Sequence, residues 1–150
     1  VGSFPGGWSQ VAIKKIRNGK ILAIDKKKIE GIKGVKFITG DFSEKKSKII
    51  INQYFNSNID VILSDMAPNT TGNKNLDCIR INQLCLDTLD FSKEILNKKG
   101  IVVSKLFMGE DFEAIKLKAK KYFKKIDFFK PNSSRGESRE TYIHCSGLST

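Results

Sequence analysis

The sequence predicts an α/β protein built as a doubly wound sheet. Short apolar runs alternate with longer amphipathic stretches along the whole chain, the pattern of strands connected by helices. Several of those apolar runs close on an aspartate: Asp25, Asp41 and Asp65. A glycine-rich turn, Gly2-Ser3-Phe4-Pro5-Gly6-Gly7, stands ahead of the first amphipathic stretch. In open α/β sheets ligands gather at the carboxyl ends of the strands, so an acid placed there is delivered to a site by a rigid element.

Val1 reads as part of a first strand that enters the glycine turn, where Gly2, Gly6 and Gly7 permit tight turns and close approach of backbone to a ligand. Ser9 reads as the N-cap of a helix over Gln10 to Arg17. Lys20 to Asp25 is a second strand. Asp25 follows Gly7 by about 18 residues, near the spacing at which such folds place an acid on ribose hydroxyls. Gly34 to Phe42 is a third strand ending in Gly-Asp, and Ser43 to Tyr54 a lysine-rich outer helix. The glycine turn is neither G-x-G-x-x-G nor a P-loop.

Val61-Ile62-Leu63-Ser64 is a fourth strand, and Asp65-Met66-Ala67-Pro68-Asn69 turns it into a polar loop. Leu76 to Leu96 reads as a long helix with Leu76, Ile79, Leu86 and Leu89 among its apolar positions, ended by Asn97-Lys98-Lys99-Gly100. Ile101 to Phe107 is a fifth strand, apolar except for Ser104 and for Lys105, which is costly to bury unless paired or functional. Glu110 to Phe123 is a basic helix and Ile126 to Lys130 a sixth strand. The loop from Pro131 to Glu140 carries Arg135 and Arg139, either phosphate contacts or ordinary loop charge. Thr141 to Cys145 is a seventh strand, in which His144 lacks metal-ligand companions and reads as structural.

Composition narrows the class. At 150 residues, 39% hydrophobic and 29% charged, the chain suits one domain with one core. No apolar stretch is long enough to span a bilayer as a helix. Twenty-seven Lys and Arg against 16 Asp and Glu give a charge of +11 and a pI near 9.6, which favours an anionic partner such as nucleic acid, although a lysine-rich composition contributes generically. Cys78, Cys85 and Cys145 have no C-x-x-C spacing, so neither a disulfide framework nor a metal site is expected, and the compartment is expected to be reducing. Cys78 and Cys85 fall on one helix face as small core residues. The chain opens without Met, in a stretch that reads as strand, so an N-terminal segment carrying any targeting signal is expected to precede it.

Five motifs occur in a fixed order: Pro5-Gly6-Gly7-Trp8-Ser9-Gln10, Gly40-Asp41-Phe42, Ser64-Asp65-Met66-Ala67-Pro68-Asn69, Lys105-Leu106-Phe107 and Ser138-Arg139-Glu140-Thr141-Tyr142. In these the chain resembles, over essentially its whole length, the FtsJ/RrmJ (RlmE) family of S-adenosylmethionine-dependent ribose 2′-O-methyltransferases. The resemblance implies a Rossmann-like methyltransferase fold: seven strands, mostly parallel, helices on both faces, the last strand antiparallel. It implies S-adenosylmethionine binding by Gly6, Gly7, Trp8, Asp25, Asp41, Phe42 and Asp65, with Asp25 on the ribose, Asp41 beside the adenine and Asp65 near the methyl. It implies a catalytic set of Lys-Asp-Lys-Glu, of which Asp65, Lys105 and Glu140 match the last three. The first lysine would lie ahead of this sequence.

A ribose 2′-hydroxyl is a weak nucleophile that must lose its proton as it attacks. Lys105 could accept that proton in its neutral form, with Asp65 and Glu140 orienting amine and hydroxyl and no metal required. The expected substrate is RNA bound by Arg135 and Arg139, most like the branch of the family that methylates a uridine of large-subunit rRNA. A tRNA anticodon loop or an mRNA cap are the alternatives within the family. Outside enzymology, the alternative is a non-catalytic RNA-binding or ribosome-assembly protein; a dinucleotide oxidoreductase is disfavoured by the absent G-x-G-x-x-G. A monomer without membrane contact, in the cytoplasm or an organelle, is expected.

Overall fold

The computed structural model describes residues 1–56, 59–132 and 138–149. They fall into two compact units, Val1–Asn56 and Ser57–Thr150.

The first unit contains α1 (Gly7–Lys15), β1 (Ile21–Asp25), β2 (Val35–Thr39) and α2 (Lys45–Phe55). β1 and β2 pair in parallel from Ile21 opposite Val35 to Asp25 opposite Thr39. Ala23 and Ile24 bury the centre of β1, and α1 packs on that strand. Gly34 enters β2 with φ +88°, and a Cβ there would come within 2.9 Å of the Ile13 side chain, so glycine is what lets α1 close on the strand entry. The expected strand at Val1 does not form. Ser3 donates its N–H and its hydroxyl to the Ile24 carbonyl at 3.3 and 3.0 Å, and Gly2, Pro5 and Gly6 allow no continuous ladder beyond it. The helix also begins earlier than expected: Gly6, at φ +117°, is its N-cap, and Ser9 lies buried inside it.

The second unit contains β3 (Ile59–Ser64), α3 (Lys74–Ile95), β4 (Leu96–Phe107), α4 (Phe112–Tyr122), β5 (Phe123–Phe129) and β6 (Glu140–Leu148). The sheet order is β3-β4-β6-β5. β3 and β4 are parallel, while β6 runs antiparallel to both its neighbours, so the antiparallel last strand holds. Over the described residues the chain is a mixed α/β fold of six strands rather than seven. The helices α3 and α4 touch one another as well as the sheet, so they share one face of it.

Boundaries moved where pairing outweighed local turn signals. Asn97 to Gly100, expected to be a turn, belongs to β4, because Leu96 already pairs with Ile59 across a register irregularity. β5 starts at Phe123, which is buried and opposite Leu148. On α3 the face that packs inward is Cys78, Ile81, Asn82, Cys85, Thr88, Leu89 and Ser92, whereas Leu76 and Ile79 are 38% and 53% exposed. Leu89, Val102, Leu106, Ile115 and Ile143 are completely buried at the centre. No helix of the described residues is long and apolar enough to cross a membrane.

Strand alternation divides the sheet's two faces. The Thr88 hydroxyl lies 3.4 Å from that of Ser64, so Ser64 faces α3, and with it the buried Ile62, Val102, Ser104 and Leu106. Val103, Lys105 and Phe107 therefore project from the opposite face.

Candidate active site

In the first unit the parallel pairing sets Asp25 and Asp41 at the ends of neighbouring strands, tied by the Gly40 N–H donating to the Asp25 carbonyl at 2.9 Å. The Asp25 carboxylate accepts the Phe4 N–H at 3.0 Å and the Lys27 N–H at 2.9 Å. It fixes the glycine turn and its own strand end, and each oxygen keeps acceptor capacity for a hydroxyl. Asp41 accepts from the Ser43 N–H at 2.9 Å and the Ser43 hydroxyl at 2.7 Å, and pairs with Lys26 at 2.7 Å. Hydrogen bonding with Lys26 first and Ser43 second lowers its pKa to about 2. Gly6 and Gly7 open α1; a Cβ on Gly6 would meet Ile32 at 3.4 Å, and one on Gly7 nothing within 4 Å. Trp8 is 38% exposed in the first helical turn, whereas the Phe42 ring is buried. Two strand-end acceptors beside a glycine-opened helix suit a nucleoside carrying vicinal hydroxyls.

The second unit gathers the acids and the lysine. Asp65 follows the last residue of β3. Lys105 on β4 reaches its carboxylate at 2.9 Å and its carbonyl at 3.4 Å, with the lysine side chain only 9% exposed. Lys105 stands directly opposite Tyr142 on β6, and Phe107 opposite Glu140. The Tyr142 hydroxyl donates to Asp65 at 2.8 Å and lies 3.5 Å from the Glu140 carboxylate. Burial, then the hydrogen bond to Asp65 and the charges of Asp65 and Glu140, push the phenol pKa above its ordinary value, so Tyr142 stays protonated and serves as a hydrogen-bond donor. The predicted Asp65, Lys105 and Glu140 thus converge around a tyrosine that had not been singled out. Its signal was available: two residues beyond Glu140 in a strand, it must share that acid's face.

Asn82 was also missed. Completely buried on α3, it donates to the Phe107 carbonyl at 3.1 Å and accepts the Phe107 N–H at 2.8 Å. A helix thereby holds the strand end that carries Lys105. The signal was a polar residue between Cys78 and Cys85 on the core face. Those cysteines are buried and free as expected, with burial raising the Cys85 pKa to about 11 and that of Cys145 to about 12. Arg139 is exposed beside Glu140, and its carbonyl accepts the Met108 N–H at 3.0 Å. Arg135 lies outside the described residues. His144 stands opposite Asp127, 3.8 Å from its carboxylate.

Comparison with known proteins finds similarity over nearly the whole chain. Residues 1–148 match the profile of the FtsJ-like methyltransferases. The chain is 43% identical over 145 residues to the ribosomal RNA large subunit methyltransferase E of Pelagibacter ubique, covering 97% of this chain and 71% of that protein. A candidate ribosomal RNA methyltransferase of Plasmodium falciparum superposes with a TM-score of 0.86 at 29% identity, covering 98% of this chain and 83% of that one. A candidate methyltransferase of Streptococcus mutans, solved in complex with S-adenosylhomocysteine, shares the fold at a TM-score of 0.55 and 14% identity, covering 98% of this chain and 83% of that one.

Proposed function

The chain belongs to the FtsJ-like methyltransferase family, and on that premise we propose that it methylates a ribose 2′-hydroxyl of large-subunit ribosomal RNA, at a uridine. The methyl donor is S-adenosylmethionine, which supplies a methyl on a positively charged sulfur. The observation that carries the reading is the convergence of Lys105 and Tyr142 on Asp65, with Glu140 beside the Tyr142 hydroxyl. It is supported by the 43% identity to a protein named for large-subunit rRNA methylation. Chain residues 1–150 act as a single methyltransferase domain and as a monomer, in a reducing compartment of the cytoplasm or an organelle.

Each residue then has a task. Asp25 accepts hydrogen bonds from the cofactor's ribose hydroxyls. Asp41 borders the adenine beside Phe42. Gly6, Gly7 and Trp8 cradle the cofactor at the start of α1, and Asp65 stands near the methyl. Lys105 accepts the proton leaving the 2′-hydroxyl, and Glu140 orients that hydroxyl. Tyr142 holds Asp65 in place. Arg135 and Arg139 meet phosphates of the RNA, with affinity falling steeply as salt rises. The short Lys105–Asp65 contact favours a second reading of one residue: Lys105 keeps its charge and positions the substrate without taking the proton.

The deciding experiment offers large-subunit rRNA, tRNA and capped mRNA with labelled S-adenosylmethionine and maps the modified nucleotide. Label at a 2′-O-methyluridine of large-subunit rRNA is the expected result. Binding of rRNA with no methyl transfer by the full-length protein would make it a non-catalytic RNA-binding protein instead.

A further inference from the structure

Phe129 closes β5, and β5 is the edge of the four-stranded sheet. The register aligns Phe129 with Tyr142 on β6, and Tyr142 with Lys105 on β4. All three lie in one row across the strands. Phe128, the preceding residue, packs its ring at 4.8 Å from Phe112 of α4, so Phe129 is on the face away from the helices, the face that bears Lys105. Its ring stacks on Tyr142 with centroids 5.7 Å apart and planes 18° from parallel. It is nevertheless 45% exposed, because among the described residues no strand of this sheet lies beyond β5. A large aromatic ring, one side fixed against a residue of the reacting cluster and the other open at the sheet edge, has the form of a platform for a second flat ring.

Resting on the function proposed above, we infer that Phe129 takes a nucleobase of the bound RNA in a stack, that of a nucleotide flanking the one whose ribose is methylated. Two strand spacings separate it from Lys105, roughly 10 Å. That is too far for the ribose being methylated and within reach of a neighbouring nucleotide. Stacking is tolerant of base identity, so Phe129 anchors and aligns the strand and does not read its sequence. The phosphates on either side of that base would run past Arg139, exposed one residue before Glu140.

The test compares Phe129→Ala, Phe129→Leu and Phe129→Tyr in the full-length protein, with a large-subunit rRNA transcript as substrate. Stacking on an aromatic is worth about 1–3 kcal/mol per base, so Phe129→Ala should raise the KM and the Kd for RNA by roughly fivefold to a hundredfold. The kcat and the cofactor Kd should stay within about twofold. Phe129→Tyr should bind RNA as the wild type does, and Phe129→Leu, apolar but not aromatic, should behave as Phe129→Ala. Equal RNA affinity across the series would overturn the inference, as would a leucine variant as good as phenylalanine. A fall in kcat at constant KM would assign Phe129 to buttressing Tyr142, and a weakened cofactor Kd would place it in the cofactor site; either outcome also overturns it. If the wild type transfers no methyl, the parent function fails while the Kd series still decides the stacking role on its own.

Discussion

Tyr142 donates its hydroxyl to the same Asp65 oxygen that the Lys105 ammonium reaches, at 2.8 and 2.9 Å. One carboxylate oxygen is thus held by two donors from two strands, β4 and β6. A carboxylate at the end of a strand would otherwise rotate freely into solvent. Here its position is set by the sheet itself, since Lys105 and Tyr142 are cross-strand neighbours.

Tyr142→Phe removes one of those donors and leaves the packing. Because the phenol stays protonated beside Asp65 and Glu140, its loss costs a charge-assisted hydrogen bond of about 1.5–3 kcal/mol. The single-turnover rate of methyl transfer should fall by about tenfold or more while cofactor affinity holds. A rate equal to wild type would show that Lys105 alone suffices to fix Asp65.

Lys105→Ala should lower methyl transfer by at least about a hundredfold, the scale of a lost general base, with cofactor affinity nearly intact. Lys105→Arg should not rescue the rate, because a guanidinium does not give up its proton at working pH. An arginine variant in the full-length enzyme that kept most of its single-turnover rate would assign Lys105 to charge-based positioning.

Asn82→Ala should destabilise the fold by about 1–3 kcal/mol, because the part-buried Phe107 N–H loses its side-chain partner and the Phe107 carbonyl keeps only the weak Cys78 thiol. Urea denaturation of wild type and variant measures this directly. A shift below about 0.5 kcal/mol would mean that water takes over both hydrogen bonds.

Asp25→Ala should weaken S-adenosylmethionine binding by roughly tenfold to a hundredfold, the loss of a hydrogen-bonded carboxylate. The carboxylate also holds Phe4 and Lys27, so Asp25→Asn, which retains an acceptor, should lose less. Calorimetric titration of both folded variants checks the order, and unchanged affinity in the alanine variant would remove Asp25 from the cofactor site.

Asp41 makes stability depend on acid. Its folded pKa, about 2, lies below the ordinary 3.8, so the folded state releases the proton more readily than the unfolded one. The stabilisation is present above about pH 4 and disappears as pH falls through the interval down to about 2. Asp41→Asn should flatten that part of the acid dependence, read as the difference in urea midpoint between pH 5 and pH 2.5. An identical acid profile in the variant would show that Lys26, on the surface, contributes nothing there.

Local chemistry writes several elements directly into the chain. Apolar runs closed by acids marked β1, β2 and β3, because a buried strand followed by a turn leaves a period and a punctuation in one short stretch. The motifs around Asp65, Lys105 and Glu140 were legible for the same reason: each sits at a strand end, where residue type and position coincide. Which groups meet is set by the packing of distant strands. Asp65 and Tyr142 stand 77 residues apart in the chain and meet only because β6 inserts antiparallel beside β4. Asn82 acquires its role only from the fold, which sets it against the Phe107 backbone. Of the apolar positions on α3, Leu89 is buried whereas Leu76 and Ile79 are exposed, because only the fold decides which of them meets the sheet. Val1 reads as strand by composition, but contact with β1 is made through Ser3, on the Ile24 carbonyl, and the glycine turn that follows at once interrupts a regular ladder.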